Sequence, residues 1–123
     1  MAVAVLDLVN VERQKAGLDP LAWDDGAAEV AYAHSVDMDV RDFFAHTNPD
    51  GLEPWDRLSA AGVAWSTAGE NIARGYDTPE DVVAGWMSSP GHRDNILRAS
   101  FRRLGVGVHQ GSSTWWTQLF YSP

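Results

Sequence analysis

Arg102-Arg103-Leu104-Gly105-Val106-Gly107-Val108-His109, then Gln110-Gly111-Ser112-Ser113, then Trp115-Trp116-Thr117-Gln118-Leu119-Phe120-Tyr121 reads as strand, turn, strand. β-Branched and aromatic residues fill the two arms, and the Gly-Ser connection is hairpin chemistry. Everything before this hairpin looks different. From Ala2 to Ala16 the apolar Val5, Leu8, Val9 and Ala16 recur at helical spacing, with Gly17 placed as a left-handed cap. After the turn Leu18-Asp19-Pro20-Leu21, Asp24 is placed to cap a second helix with Ala27, Ala31, His34 and Met38 on one stripe, ending near Asp42. Pro54 to Ala61 reads as a short helix closed by Gly62, and Gly69 to Gly75 as a strand or strand-like arm. Thr78-Pro79-Glu80-Asp81 is a strong helix start, Ser89-Pro90-Gly91 interrupts that helix, and a further turn or two carries His92 to Arg98. Helices come early and strands late, without strand-helix-strand alternation. The pattern predicts an α+β fold with helices covering an antiparallel sheet.

Length and composition suit one domain over residues 1–123, since 45% apolar content and six Trp supply one continuous core. Nine Lys and Arg against 17 Asp and Glu give a net charge of −8, which repels phosphate backbones and anionic lipids. Nucleic acid is therefore excluded as the expected partner. With no Cys there is neither a disulfide framework nor a thiolate, so any metal would rest on His and carboxylate. The apolar start, Met1 to Leu6, is too short for a signal-peptide core or a membrane span. An exported protein is expected to have lost its leader ahead of Met1.

Four histidines are the chemical candidates, because imidazole is both the commonest metal ligand and the usual acid–base group near neutral pH. His34, on an apolar helical stripe, is expected to be a packed ring with one satisfied hydrogen bond. His109, near a strand end, is expected on the surface. His46 and His92 each stand in a Gly/Pro turn context, before Thr47-Asn48-Pro49-Asp50-Gly51 and after Ser88-Ser89-Pro90-Gly91, where side chains are aimed rather than merely packed. Glu70, flanked by Gly69 and Asn71 in a mostly apolar arm, is paired, hydrogen-bonded or functional, since an unpaired buried charge is costly.

Gly69-Glu70-Asn71-Ile72-Ala73, Trp86 through Leu97, and Leu104-Gly105-Val106-Gly107-Val108 resemble the signature segments of the CAP family in its compact bacterial form. This is the fold shared by plant pathogenesis-related and sperm-coating proteins. Leu8 to Arg13, Leu21-Ala22-Trp23-Asp24 and Phe43-Phe44-Ala45-His46 resemble further family segments in the same order, so the likeness covers essentially the whole chain. It implies a three-layer α-β-α sandwich with a central antiparallel sheet and a cleft in which two His and two acids converge and, in some members, hold a divalent metal. His46, Glu70 and His92 match three of those positions. Ser89 stands where larger relatives place a second Glu, three residues after the helix Trp, and the loop from Trp86 to His92 is shorter. A lost anionic ligand weakens metal binding.

Two neutral imidazoles, one carboxylate and a water would suit Zn²⁺ with an open position. The same three side chains could instead hydrogen-bond one another and stitch the strand to its loops. The resemblance thus implies a monomeric, secreted or cell-envelope binding module whose His46/Glu70/His92 cleft takes a divalent metal, a small ligand or a protein partner. The alternative is a hydrolase, with Glu70 or a His as general base and Ser88, Ser89 or a metal-bound water attacking, although no Gly-x-Ser-x-Gly elbow is present. A third reading is an apolar ligand such as a sterol, against which core filling explains the 11% aromatic content equally well.

Overall fold

The computed structural model describes all 123 residues. Helix α1 (Ala2–Lys15) buries Val5, Val9 and Arg13, one residue per turn along a single face. Gly17 closes it at φ 75°, so that Leu18 N–H reaches back 2.9 Å to the Arg13 carbonyl. Helix α2 (Asp25–Val40) starts where the Asp24 carboxylate accepts from Ala27 N–H at 2.8 Å and buries Ala27, Ala31, His34 and Met38, the stripe predicted from spacing. Helix α3 (Pro54–Ala60) follows, with Gly62 just beyond it at φ 80°. Thr78 Oγ1 accepts from Asp81 N–H at 3.1 Å to open α4 (Pro79–Met87), and Pro90 opens α5 (Pro90–Ile96) after the break. No helix is long and apolar enough to cross a membrane.

The sheet has the order β1-β3-β4-β2, with β1 Ala22–Trp23, β2 Thr67–Arg74, β3 Arg103–Gln110 and β4 Thr114–Ser122. The hairpin β3–β4 and the pair β2–β4 are antiparallel, as expected. The sheet is nevertheless mixed, because β1 runs parallel to β3 with Ala22 N–H on the Arg102 carbonyl at 2.9 Å and Asp24 N–H on that of Leu104 at 3.0 Å. A two-residue strand shows no alternation to read.

Alternation along the long strands builds the three layers. Trp116 and Phe120 of β4, with Leu104 and Val106 of β3, turn toward α1, α4 and α5 and pack with Val5, Val9, Val82, Trp86 and Ile96. Leu119 and Tyr121 turn the other way, onto Ala27, Val30 and Ala31 of α2 and Leu58 of α3. On that second face β3 places Gly105 and Gly107 beneath α2, which lies directly on its backbone: a Cβ at Gly107 would stand 2.1 Å from the Tyr32 amide nitrogen. Ser35 Oγ locks the contact, donating to the Gly107 carbonyl at 3.0 Å beside Thr117 Oγ1 at 2.7 Å.

Arg13 is fully buried and has no acid partner. Its guanidinium donates to the carbonyls of Asp19 at 2.8 Å, Ile96 and Arg98 at 2.9 Å and Phe101 at 3.4 Å, tying α1 to the end of α5 and the entry to β3. Arg13→Met keeps most of the volume and strips four acceptors of their donor, so it is expected to lower stability by about 2 kcal/mol in urea unfolding. A loss below about 0.5 kcal/mol would show that water takes over those carbonyls.

Candidate functional site

His46 sits on the loop between α2 and α3, whose course is set locally. Asn48 Oδ1 accepts from the backbone N–H groups of Asp50 at 3.0 Å and Leu52 at 2.9 Å, with Gly51 at φ 82° completing the turn. From below, His34 holds the residue before His46: its Nε2 donates to the Ala45 carbonyl at 2.9 Å. That bond places the proton on Nε2 and leaves buried Nδ1 without a partner. His34 is thus the packed ring with one satisfied bond that the sequence predicts, and burial pulls its pKa down.

Glu70 lies on β2 with its side chain 1% exposed, on the α2 face that alternation assigns to it and to Ile72. Its Oε1 accepts from His46 Nδ1 at 2.8 Å and its Oε2 from Arg57 Nη1 at 3.2 Å. His34 Nε2 stands 3.9 Å from the same Oε1. Both oxygens are therefore answered by the protein's own cationic or cation-forming groups. Arg57 also reaches the His46 carbonyl through its other terminal nitrogen, fixing the loop at both ends of the residue. The hydrogen bond that His46 donates to Glu70 is the first cause raising the pKa of His46, against the opposing effect of burial. With Nδ1–H committed to Glu70, Nε2 is the nitrogen left for an incoming group, on a side chain 50% exposed.

His92 is tied to β2 by a polar seam between α5 and that strand. Asn71 Nδ2 donates to the His92 carbonyl at 3.0 Å, while Asn95 Nδ2 donates to the Glu70 carbonyl at 3.2 Å and to Asn71 Oδ1 at 2.9 Å. The half-buried ring itself takes no hydrogen bond from either Glu70 or His46. Burial first, and then the nearby His46, pull its pKa down. The pKa values of the two imidazoles are thus shifted in opposite directions.

No three His, Asp or Glu side chains come together closely enough to hold a metal ion. The donor chemistry explains why: Arg57 occupies one Glu70 oxygen with a fixed positive charge, and Ser89 supplies no second anion. Of the two candidate serine nucleophiles, Ser88 is turned back on its helix, donating to the Ala84 carbonyl at 2.8 Å. Ser89 lines the His92 side of the cleft with its hydroxyl free of any cap bond. A separate hollow of about 750 Å³ lies between α2 and residues 48–61 and is lined in part by His34 and Arg57, the groups that stand against Glu70.

Sequence reading missed Arg57 altogether. Its only local signal is its spacing: Pro54 and Leu58 of α3 are buried, and Arg57 lies three residues after the first, on the inward side. His109 also departs from expectation, since it donates from Nε2 to Asp39 Oδ2 at 2.9 Å and is only 22% exposed. Asp39 additionally accepts from the backbone and hydroxyl of Ser112, latching the β3–β4 turn to the end of α2. Those bonds, Ser112 first, hold the Asp39 carboxyl below its usual range. A depressed carboxylate contributes stability above its unfolded pKa and loses it as pH falls through the folded one. The melting-temperature gap between wild type and Asp39→Asn is therefore expected to shrink as pH drops from about 6 to about 3. A gap constant across that range would remove the latch.

The fold and this cleft together define the class. Residues 6–120 match the model of the CAP, cysteine-rich secretory protein family, and the chain belongs to that family although it contains no cysteine. It is 47% identical over 116 residues to the uncharacterized protein YkwD of Bacillus subtilis, covering 94% of this chain and 45% of that protein. Among solved structures, an extracellular protein containing an SCP domain from Bacillus anthracis superposes with a TM-score of 0.94 at 38% identity, over 99% of this chain and 40% of that one. An outer surface protein of Borrelia burgdorferi shares the fold, with a TM-score of 0.90 at 21% identity over 97% of this chain and 90% of its own. The chain spans less than half the length of the curated relatives it matches.

Proposed function

We propose that this CAP domain acts outside the cytoplasm as a binding module, and that the cleft around His46, Glu70 and His92 recognises a small ligand without turning it over. The bonding of Glu70 carries the reading. An acid with both oxygens tied to His46 and Arg57 orients an imidazole and is not free to bind a cation, while no hydroxyl is hydrogen-bonded to either imidazole as a nucleophile would be. The extracellular and outer-surface relatives support a place at or beyond the envelope.

Calorimetric titration with Zn²⁺ tests the central point. The expected outcome is no stoichiometric binding that depends on His46 and His92. One-to-one binding that disappears in the His46→Ala/His92→Ala pair would replace this reading with a metal centre.

A second reading, hydrolysis, draws on one observation: a buried carboxylate holding Nδ1–H of a half-exposed imidazole is the arrangement that prepares a general base. Peptide and ester panels separate the two. Turnover abolished by His46→Ala would make the domain an enzyme.

A further inference from the structure

We propose that the hollow between β2, α4 and His92 is a carboxylate subsite, binding a small monocarboxylic acid whose apolar or aromatic body lies against Phe44 and Tyr76 and whose carboxylate meets Arg74, Ser89 and His92. The inference rests on the binding-module reading and names its ligand class.

The hollow measures about 330 Å³, at the small end of the range for ligand pockets. None of its nine lining residues is Asp or Glu, in a chain that carries 17 of them. Arg74 is its fixed charge. The guanidinium lies 4.5 Å from the centre of the Trp115 ring, and no carboxylate pairs with it, whereas Arg41, Arg57 and Arg102 each pair with an acid. A guanidinium already immobilised on an aromatic face loses little further freedom when it takes a carboxylate in its planar fork.

Two more donors are uncommitted. Ser89 has no cap bond for its hydroxyl, and the His92 ring has no hydrogen-bond partner, so three polar side chains converge on the hollow with bonding capacity to spare. The walls suit an apolar body. Phe44 and Tyr76 are 51% and 37% exposed, and Phe44 tilts onto the Trp115 ring that also carries Arg74. Tyr76 is held over the bare Cα of Gly85, where a Cβ would stand 2.4 Å from its hydroxyl, and its carbonyl accepts from Trp116 Nε1 at 2.9 Å.

The charge balance decides the sign of the ligand. Glu70 is neutralised by Arg57 and His46, and Ser89 contributes no charge where the family likeness implies an acid, so Arg74 is left uncompensated. The hollow thus favours an anion over the cation that the likeness suggests. A net charge of −8 penalises a dianion or polyanion far more than a single carboxylate, and the apolar walls exclude a bare inorganic ion.

The test is a titration of the intact chain with phenylacetate, followed by backbone, imidazole and guanidinium NMR signals, beside its neutral isostere phenylacetamide. The expected result is saturable shifts at Phe44, Arg74, Ser89 and His92, with the amide weaker by about tenfold or more. Arg74→Met is expected to reduce acid affinity about tenfold and bring acid and amide level, with the spectrum away from the hollow unchanged as proof of folding. Arg74→Lys should recover part of the loss. A tripeptide with a free C-terminal phenylalanine, against its C-terminal amide, shows whether the carboxylate comes from a peptide end or from a free acid. Equal binding of acid and amide to wild type, or acid binding unaffected by Arg74→Met, overturns the subsite. If some other small molecule shifts the His46 and His92 rings while phenylacetate shifts nothing, the subsite falls and the binding module stands.

Discussion

Arg57→Met is expected to lower the unfolding free energy by about 3–5 kcal/mol, the usual cost of removing one member of a buried ion pair. Arg57 is 10% exposed and Glu70 1%, so water cannot readily replace the missing guanidinium. The carboxylate would keep only the His46 bond, and the His46 carbonyl would lose its donor at the same time. Urea unfolding of Arg57→Met, Glu70→Gln and the double variant supplies the check. Because the two residues share one network, the double variant should be less damaged than the sum of the singles. Strict additivity, or a loss under about 1 kcal/mol for Arg57→Met, would mean that the pair is solvated in solution.

Gly107→Ala is expected to cost about 3 kcal/mol or more, from one added methyl group. The new Cβ would meet Tyr32 backbone atoms at 2.1 Å and 2.2 Å, and backbone cannot swing aside as a side-chain tip can. Helix α2 must then lift off β3, which also strains the bond from Ser35 to the Gly107 carbonyl. Gly91→Ala is the internal control, since nothing lies within 4 Å of its added Cβ and a change within about 0.5 kcal/mol is expected. Thermal and urea unfolding of the two variants should separate them clearly. Should Gly107→Ala melt with Gly91→Ala, the close seating of α2 on the sheet would be wrong.

How much was legible beforehand follows from where each signal resides. Asp24, Thr78-Pro79 and Gly17 act within a turn of their own position, so the helix ends they set could be read directly and are present. The alternation in Leu104-Gly105-Val106-Gly107-Val108 announces a strand, while the reason for its glycines, a helix resting on them, exists only in three dimensions. Strand β1 is too short to show any period, and its partner lies some eighty residues away in sequence. For the site, residue types and turn contexts singled out His46, Glu70 and His92, and the fold joins the first two through a 2.8 Å hydrogen bond. What they do there depends on Arg57, which no local pattern ties to Glu70. Arg57 pairs with the Glu70 carboxylate at 3.2 Å, so the negative charge of that acid is balanced within the protein.

The carbonyl clasp around Arg13 has a consequence for where such a domain can work. Most charged fastenings loosen when acid neutralises the carboxylate or when salt shields the pair. Here the anchored cation stays protonated under any physiological condition, its acceptors are peptide oxygens that do not titrate, and the contact is sealed from the medium. The first helix and the element bearing His92 are therefore joined by a fastening indifferent to swings in acidity and ionic strength.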